Sequence, residues 1–311
     1  MLTNILRGNQ NFIPIIIFIM WLTGFFFLNV NTITSEVQLI SFALITLSVG
    51  YLCFVVGNFP YFQNNFYFIF LFLAAFLFIG CCLENLNFFA GLFFLSLIIT
   101  QILNKNQNED YLFNAFDLGF YTGLAIIFYP PFWIFGVFLL LHFIILGKTQ
   151  IVNLIFSLIG ILALFILCIE LIAIFDVWYY WDIFVQQIAF KPFTLTTSHY
   201  FLLPLMLIAA IGIIDYYSNL NRQSANKKAV FFDALLWFII SLIFILLYNG
   251  PNDNGLLLLL LPIVLFGSNF LTYTKIYWHK EVLMWVFITS LVLYRFNDYI
   301  KIPDLFDTIT F

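Results

Sequence analysis

Few side chains in this sequence could perform acid–base or metal chemistry, and they do not form a known catalytic pattern. The chain has no glycine-rich phosphate loop, no His-Glu-x-x-His helix and no Gly-x-Ser-x-Gly elbow. His199 and His279 have no second metal ligand at helical spacing, and the four cysteines lack the paired spacing of a zinc site. We therefore expect no metal centre and no cofactor.

Asp117 and His142 each lie about five residues inside an apolar stretch, where an ionisable side chain is costly and is a candidate for function. Tyr129-Pro130-Pro131 separates the two stretches, and this proline pair favours a tight hairpin over one long kinked helix. A hairpin would bring the two residues to similar depth, so we predict that Asp117 hydrogen-bonds to His142. A structural clasp is favoured over a proton relay, because neither residue is deep and the sequence offers no further relay residues.

The elements that carry these residues are apolar helices. Hydrophobic residues make up 64% of the chain and charged residues 8%, which leaves too little polar surface to cover a soluble globule of 311 residues. The mean hydropathy is +1.07. A helix needs about 20 apolar residues to cross a bilayer, and the continuous apolar runs are unlike the alternating strands of a barrel.

We therefore predict an all-α polytopic transmembrane helix bundle, with residues 1–311 as a single integral membrane domain. Its partners are expected to include the lipid bilayer and to exclude nucleic acid. About eleven spans are predicted, at 12–30, 37–56, 65–82, 86–103, 112–129, 131–147, 151–175, 198–215, 231–248, 255–273 and 281–297.

Lys and Arg predict the orientation, because loops that carry them tend to stay in the cytoplasm. With eleven spans and a cytoplasmic N-terminus, the C-terminus is extracytoplasmic and the basic residues divide eight to three in favour of the cytoplasm. Most carboxylates then fall outside, which makes the outer face acidic. The cytoplasmic set is Arg7, Lys105, Lys148, Arg222, Lys227, Lys228, Lys275 and Lys280, and the outer set is Lys191, Arg295 and Lys301.

The gap at 176–197 is rich in aromatic residues, including Trp178 and Trp181, which is typical of a loop or short helix in the outer membrane interface. An aromatic belt without a recognition role is the favoured interpretation. The alternative is a platform for a lipid-linked or sugar substrate. Close to the same depth, Glu170 or Asp298 could neutralise Arg295, which indicates either snorkelling to the interface or an outer pocket with both signs of charge.

The segment 108–147 begins Asn108-Glu109-Asp110-Tyr111, passes through Asp117-Leu118-Gly119, and continues through Pro130-Pro131 into an apolar span. It resembles the central region of an uncharacterised polytopic inner-membrane family of Bacteroidota, labelled domain of unknown function 6427. The resemblance implies a multi-pass protein of the bacterial inner (cytoplasmic) membrane with a similar length and span number. It implies no particular activity.

Gly119-x-x-x-Gly123-Leu124-Ala125 after an Asn/Asp-containing helix start more loosely resembles polyprenyl-phosphate-sugar glycosyltransferases of the C-type membrane fold. Small residues at this spacing also let helices pack closely. By analogy with that fold, Glu36 and then Glu84 occupy the outer-loop positions of a catalytic carboxylate. Lys191 and Arg295 are the cations available for a phosphate. The first outer loop is short and lacks a paired acid.

Three classes of function remain open. The favoured hypothesis is a non-enzymatic subunit or accessory factor of a cell-envelope system, whose partners would be other envelope membrane proteins. The alternative is a glycosyltransferase-like enzyme that takes a polyprenyl-linked sugar at the outer face. A transporter ranks third, because the central thirds of the spans carry almost no charge.

Overall fold

The computed structural model describes residues 13–30, 33–57, 66–79, 83–103, 111–146, 150–193, 197–248 and 253–296. Within these ranges the chain forms α-helices joined by short turns and 3₁₀ segments, without a strand. The α-helices are α1 (Ile13–Asn29), α2 (Glu36–Gly57), α3 (Tyr67–Ile79), α4 (Leu86–Leu103), α5 (Tyr111–Phe128), α6 (Trp133–Leu146), α7 (Gln150–Phe175), α8 (Tyr179–Gln187), α9 (Leu203–Ser218), α10 (Ala225–Tyr248), α11 (Leu257–Tyr273) and α12 (Tyr277–Arg295).

The all-helical prediction is confirmed for the described ranges, and each of the eleven predicted apolar stretches overlaps one of these helices. The helix without a predicted span is α8, which lies in the aromatic gap. Within the described ranges, six helical segments are long and apolar enough to cross a membrane. They are Glu36–Gly57, Leu86–Leu103, Ile151–Phe175, His199–Ser218, Ala225–Tyr248 and Asn254–Tyr273.

The double proline forms the predicted hairpin. A 3₁₀ turn at Pro130–Phe132 separates α5 from α6. Thr122 and Gly136, each seven residues from Tyr129, face one another, since a Cβ built on Gly136 would lie 3.9 Å from Cγ2 of Thr122. The chain therefore reverses direction here because proline cannot continue the hydrogen-bond ladder of α5.

The centre of the bundle is α11, whose apolar window is 89% buried. Pro262 lies inside this helix and has no N–H to donate to the carbonyl of Leu258, one turn earlier. Trp237 Nε1 and the Ser241 hydroxyl, both from α10, donate to that carbonyl at 3.0 and 3.4 Å. Side chains of a neighbouring helix thus satisfy the backbone group that the proline leaves free, as a low-dielectric interior requires.

The closest helix contact joins α5 to α7. A Cβ built on Gly119 would lie 1.9 Å from the carbonyl oxygen of Ser157, and one on Gly160 would lie 2.5 Å from that of Phe116. Gly123 lies against Leu164, so the two helices advance together and are parallel. Only glycine permits this backbone approach, and the small-residue spacing at Gly119 and Gly123 therefore has a packing role.

The opposite face of α7 has no helix against it within the described ranges. Only 11% of its apolar window is buried, although its mean hydropathy is 3.0. Exposed residues recur at three- and four-residue spacing along one stripe, which we call the α7 stripe. Its members are Ile155, Ile159, Leu162, Ile166 and Glu170.

Candidate functional site

A buried contact between a histidine and an aspartate joins α6 to α10. His142 Nδ1 and Asp233 Oδ1 lie 2.7 Å apart, and both side chains are almost completely buried. With Asp233 ionised, the imidazole Nδ1–H donates to the carboxylate. The rings of Phe138 and Phe143 lie beside the imidazole, with centroids 6.4 and 5.3 Å away, so aromatic side chains pack against the histidine.

The predicted partner of His142 was wrong. Asp117 is exposed on α5, and the acid that meets His142 comes from α10 instead. The hairpin does bring α5 and α6 together, but it turns His142 toward α10 and leaves Asp117 on the outer surface of the bundle. Hairpin geometry sets the depth of two residues, whereas the rotation of each helix decides which faces meet.

The sequence does not single out Asp233, because the predicted span begins at residue 231 and would place this acid at the start of a helix. In the structure, α10 begins at Ala225, and Asp233 lies about two turns inside the helix. The polar run Asn226-Lys227-Lys228 concealed the earlier start. An acid about two turns inside an apolar helix is itself a signal for a buried partner.

Lys227 also lies in the helix and is buried, not in a cytoplasmic loop as the sequence suggested. Its Nζ donates to Tyr273 Oη at 3.1 Å and lies 4.3 Å from the centroid of the same ring. The rings of Phe231 and Tyr216 are 5.5 and 6.0 Å from Nζ. We call these three rings the lysine cage; they stabilise a buried ammonium through cation–π attraction.

The other end of the α6–α10 pair is aromatic. Trp133 Nε1 at the start of α6 donates to Tyr248 Oη at the end of α10, at 2.9 Å. Because Trp133 meets Tyr248 at one end and His142 meets Asp233 at the other, the two helices are antiparallel. The backbone N–H of Lys191 donates to the Leu247 carbonyl at 2.8 Å, which holds the segment after α8 against this end, while the Lys191 side chain is exposed.

The aromatic gap contains α8, a nine-residue helix without a buried residue. Trp178 precedes it and is exposed, and Trp181 stacks on Phe184 with centroids 5.6 Å apart. A hydrogen bond with Tyr180 raises the pKa of the Tyr179 phenol above its usual value, and desolvation and the charge of Tyr180 add to the rise. The helix therefore presents aromatic surface with phenol groups at its start.

The remaining predicted site residues occupy separate positions. Glu36 is the first residue of α2, Glu84 precedes α4, and both are exposed. Glu170 is exposed near the end of α7, and Arg295 ends α12 half-buried. The described residues show no ion pair between Glu170 and Arg295. Asp298, the other predicted partner of Arg295, lies outside the described residues.

Among the residues that the structure describes, no group of three or more His, Cys, Asp or Glu side chains is arranged to hold a metal ion. The described polar groups that could take part in chemistry are therefore the buried His–Asp pair, the lysine in its aromatic cage, and the exposed carboxylates at helix ends. The first two couple helices to one another.

Comparison with known proteins supports a family assignment without an activity. Neither the curated proteins nor the solved structures include a match to this chain. A family of unknown function, DUF6427, matches residues 1–303. The resemblance noted at 108–147 therefore extends over nearly the whole chain. The chain therefore belongs to this family of unknown function.

Proposed function

We propose that the protein is a multi-pass inner-membrane protein with eleven spans, a cytoplasmic N-terminus and an extracytoplasmic C-terminus. The division of Lys and Arg supports this orientation. In that orientation the His142–Asp233 pair lies toward the cytoplasm and the Trp133–Tyr248 bond lies at the outer interface. Tyr and Trp are enriched at such interfaces, where one end of the side chain is apolar and the other is wet.

Its role, in this proposal, is that of a non-enzymatic subunit or accessory factor of a cell-envelope system. The observation that carries the proposal is the α7 stripe, which is apolar along its length and ends on the exposed carboxylate of Glu170. Lipid satisfies the apolar part of such a face, but an acid that faces the bilayer is costly. A basic or hydrogen-bonding group of a partner membrane protein would remove that cost.

Asp117 strengthens the argument, since it is a second exposed acid on the helix that packs closest to α7. The two helices are parallel, so Asp117 lies toward one membrane surface and Glu170 toward the other. A partner helix lying along α7 could approach Glu170 through the stripe. The buried pairs at His142 and Lys227 then keep the rest of the bundle rigid.

In-membrane photo-crosslinking tests this role. A photoreactive amino acid at Leu162, in the α7 stripe, should give a discrete protein product in native membranes, whereas the equally exposed Leu207 on α9 should not. Glu170→Gln should lower the yield at Leu162, because it removes the charge but keeps the side-chain shape. Crosslinks at Leu162 to lipid alone, or the same products at both positions, would exclude a partner on this face.

The enzyme alternative remains a second candidate because α2 and α4, which carry Glu36 and Glu84 at or just before their starts, pack against each other. Two exposed carboxylates at one end of a packed helix pair could serve a sugar acceptor as base or metal ligand. Complementation of a deletion strain discriminates the two roles. Full activity of Glu36→Gln and Glu84→Gln would remove the glycosyltransferase hypothesis and leave the accessory role intact.

A further inference from the structure

A cavity of about 350 Å³ lies beneath α8, beside the outer ends of α5 and α7 in the proposed orientation. Its walls include Phe128 of α5 and Phe165, Cys168 and Ile169 of α7. The side chains of α8 form its roof. We call this space the α8 cavity. Most of its described lining residues are apolar.

The face that α8 turns to the cavity is a regular helical stripe. Tyr180, Ile183, Phe184 and Gln187 all line it, at the spacing of one helix face. Phe184 meets the ring of Phe165 of α7 edge-on, with centroids 6.2 Å apart, but none of the residues of α8 is buried. Most of this face therefore lies over an open space. An amphipathic helix whose apolar stripe lines a cavity is typical of a binding site for an apolar ligand.

The chain is shaped to hold α8 in this position. Asp176, between α7 and α8, has φ of 52°, in the left-handed region that Asp tolerates better than most residues. This turn ends α7 and directs the chain into α8, over the cavity. After α8, the backbone bond from Lys191 to Leu247 fixes the far side. Both ends of the roof are therefore tied to the bundle.

We propose that the α8 cavity binds one acyl chain of a membrane phospholipid. A cavity of about 150 Å³ accommodates benzene, so about 350 Å³ holds roughly a dozen carbon atoms of a flexible chain. An acyl chain reaches the site directly from the bilayer. It restores the dispersion contacts that an empty apolar cavity lacks.

Two side-chain amides give the site polarity as well as volume. Asn87, at the start of α4, and Gln187, at the end of α8, line the cavity and can donate hydrogen bonds. An ester carbonyl at the head of an acyl chain is an acceptor of matching size. The volume is too small for a second helix, whose diameter is about 10 Å or more with side chains.

Photolabelling of the full chain in nanodiscs tests the site. The probe is phosphatidylethanolamine with a diazirine in one acyl chain, and labelled peptides are identified by mass spectrometry. Label should concentrate on α7 around Phe165 and Ile169 and on α8. Cys168→Trp, which fills the cavity, should lower this labelling by about tenfold. Ile174→Trp, at an exposed position of the same helix that belongs neither to the cavity lining nor to the α7 stripe, should leave it unchanged.

A second variant covers the case in which Cys168→Trp fails to fold. Ile183→Trp fills the cavity from α8, which has no buried residue and whose change should not disturb the bundle. Equal labelling of the filled and control variants would overturn the proposal. A second result would also overturn it, namely displacement of the label by polyprenyl phosphate at concentrations at which unlabelled phosphatidylethanolamine has no effect. That result would assign the cavity to a prenyl chain.

The outcome is separate from that of the subunit proposal, because Leu162, where crosslinking is measured, does not line the α8 cavity and lies about two turns from Ile169. Loss of crosslinking at Leu162 would not change lipid labelling at Phe165. Loss of lipid labelling would likewise leave the partner face intact.

Discussion

His142 and Asp233 meet at 2.7 Å in the interior of the bundle, and this bond joins helices that are far apart in the sequence. His142→Leu or Asp233→Leu alone should lower the free energy of unfolding, because each removes a hydrogen bond between two buried polar side chains. The double variant should recover part of the loss, with a coupling energy of about 0.6 to 1.7 kcal/mol. Reversible unfolding in mixed detergent micelles measures each value.

The matched control for that cycle is Asp117, the acid that the sequence suggested. Because Asp117 is exposed, Asp117→Leu combined with His142→Leu should show additive effects and no coupling. Coupling between His142 and Asp117 as large as that with Asp233 would contradict the observed pairing.

Gly119→Ala should destabilise the α5–α7 contact. The new Cβ would lie 1.9 Å from the Ser157 carbonyl oxygen, and since that atom is backbone, one helix must move. Overpacking of this kind costs about 1 to 3 kcal/mol. Gly136→Ala is the control, since its nearest neighbour would be at 3.9 Å, and it should be neutral or slightly stabilising. Thermal unfolding of the two variants would show this order, and equal melting temperatures would contradict the backbone contact.

Substitutions of Tyr273 should lower the free energy of unfolding, because this side chain contacts the buried Lys227 ammonium. Tyr273→Phe loses the 3.1 Å hydrogen bond and should cost about 1 kcal/mol. Tyr273→Leu also loses the cation–π contact and should cost roughly a further 0.5 to 2 kcal/mol of stability. In a Lys227→Met background the difference between the two substitutions should shrink. A difference that persists in that background would assign the effect to packing alone.

Cysteine accessibility checks the orientation. In a background that lacks the four native cysteines, Ala189→Cys after α8 should react with a membrane-impermeant maleimide in intact spheroplasts. Asn221→Cys, between α9 and α10, should react only after permeabilisation, because one span separates the two sites. The reverse pattern would place the N-terminus outside, and reaction at both sites in intact cells would contradict α9 as a span.

The composition and order of the chain predicted its apolar helices and their boundaries to within several residues. Long apolar runs must be helical in lipid, since only internal hydrogen bonds satisfy the backbone there, and Pro130-Pro131 could only end one helix and begin another. The small size and four-residue spacing of Gly119 and Gly123 indicated that α5 packs closely against another helix. These features depend on local sequence alone, which explains why a single sequence predicts them.

The pairing of faces was decided only by the tertiary structure. Nearly every residue of these helices is apolar, so hydrophobic periodicity does not show which side faces inward and which faces lipid. His142 therefore contacts Asp233 and not Asp117. Lys227 lies in a helix that begins six residues before the predicted span, and its ammonium group contacts three aromatic rings. The α8 cavity arises in the same way, because it exists only where the end of α7, the end of α5 and the roof helix meet.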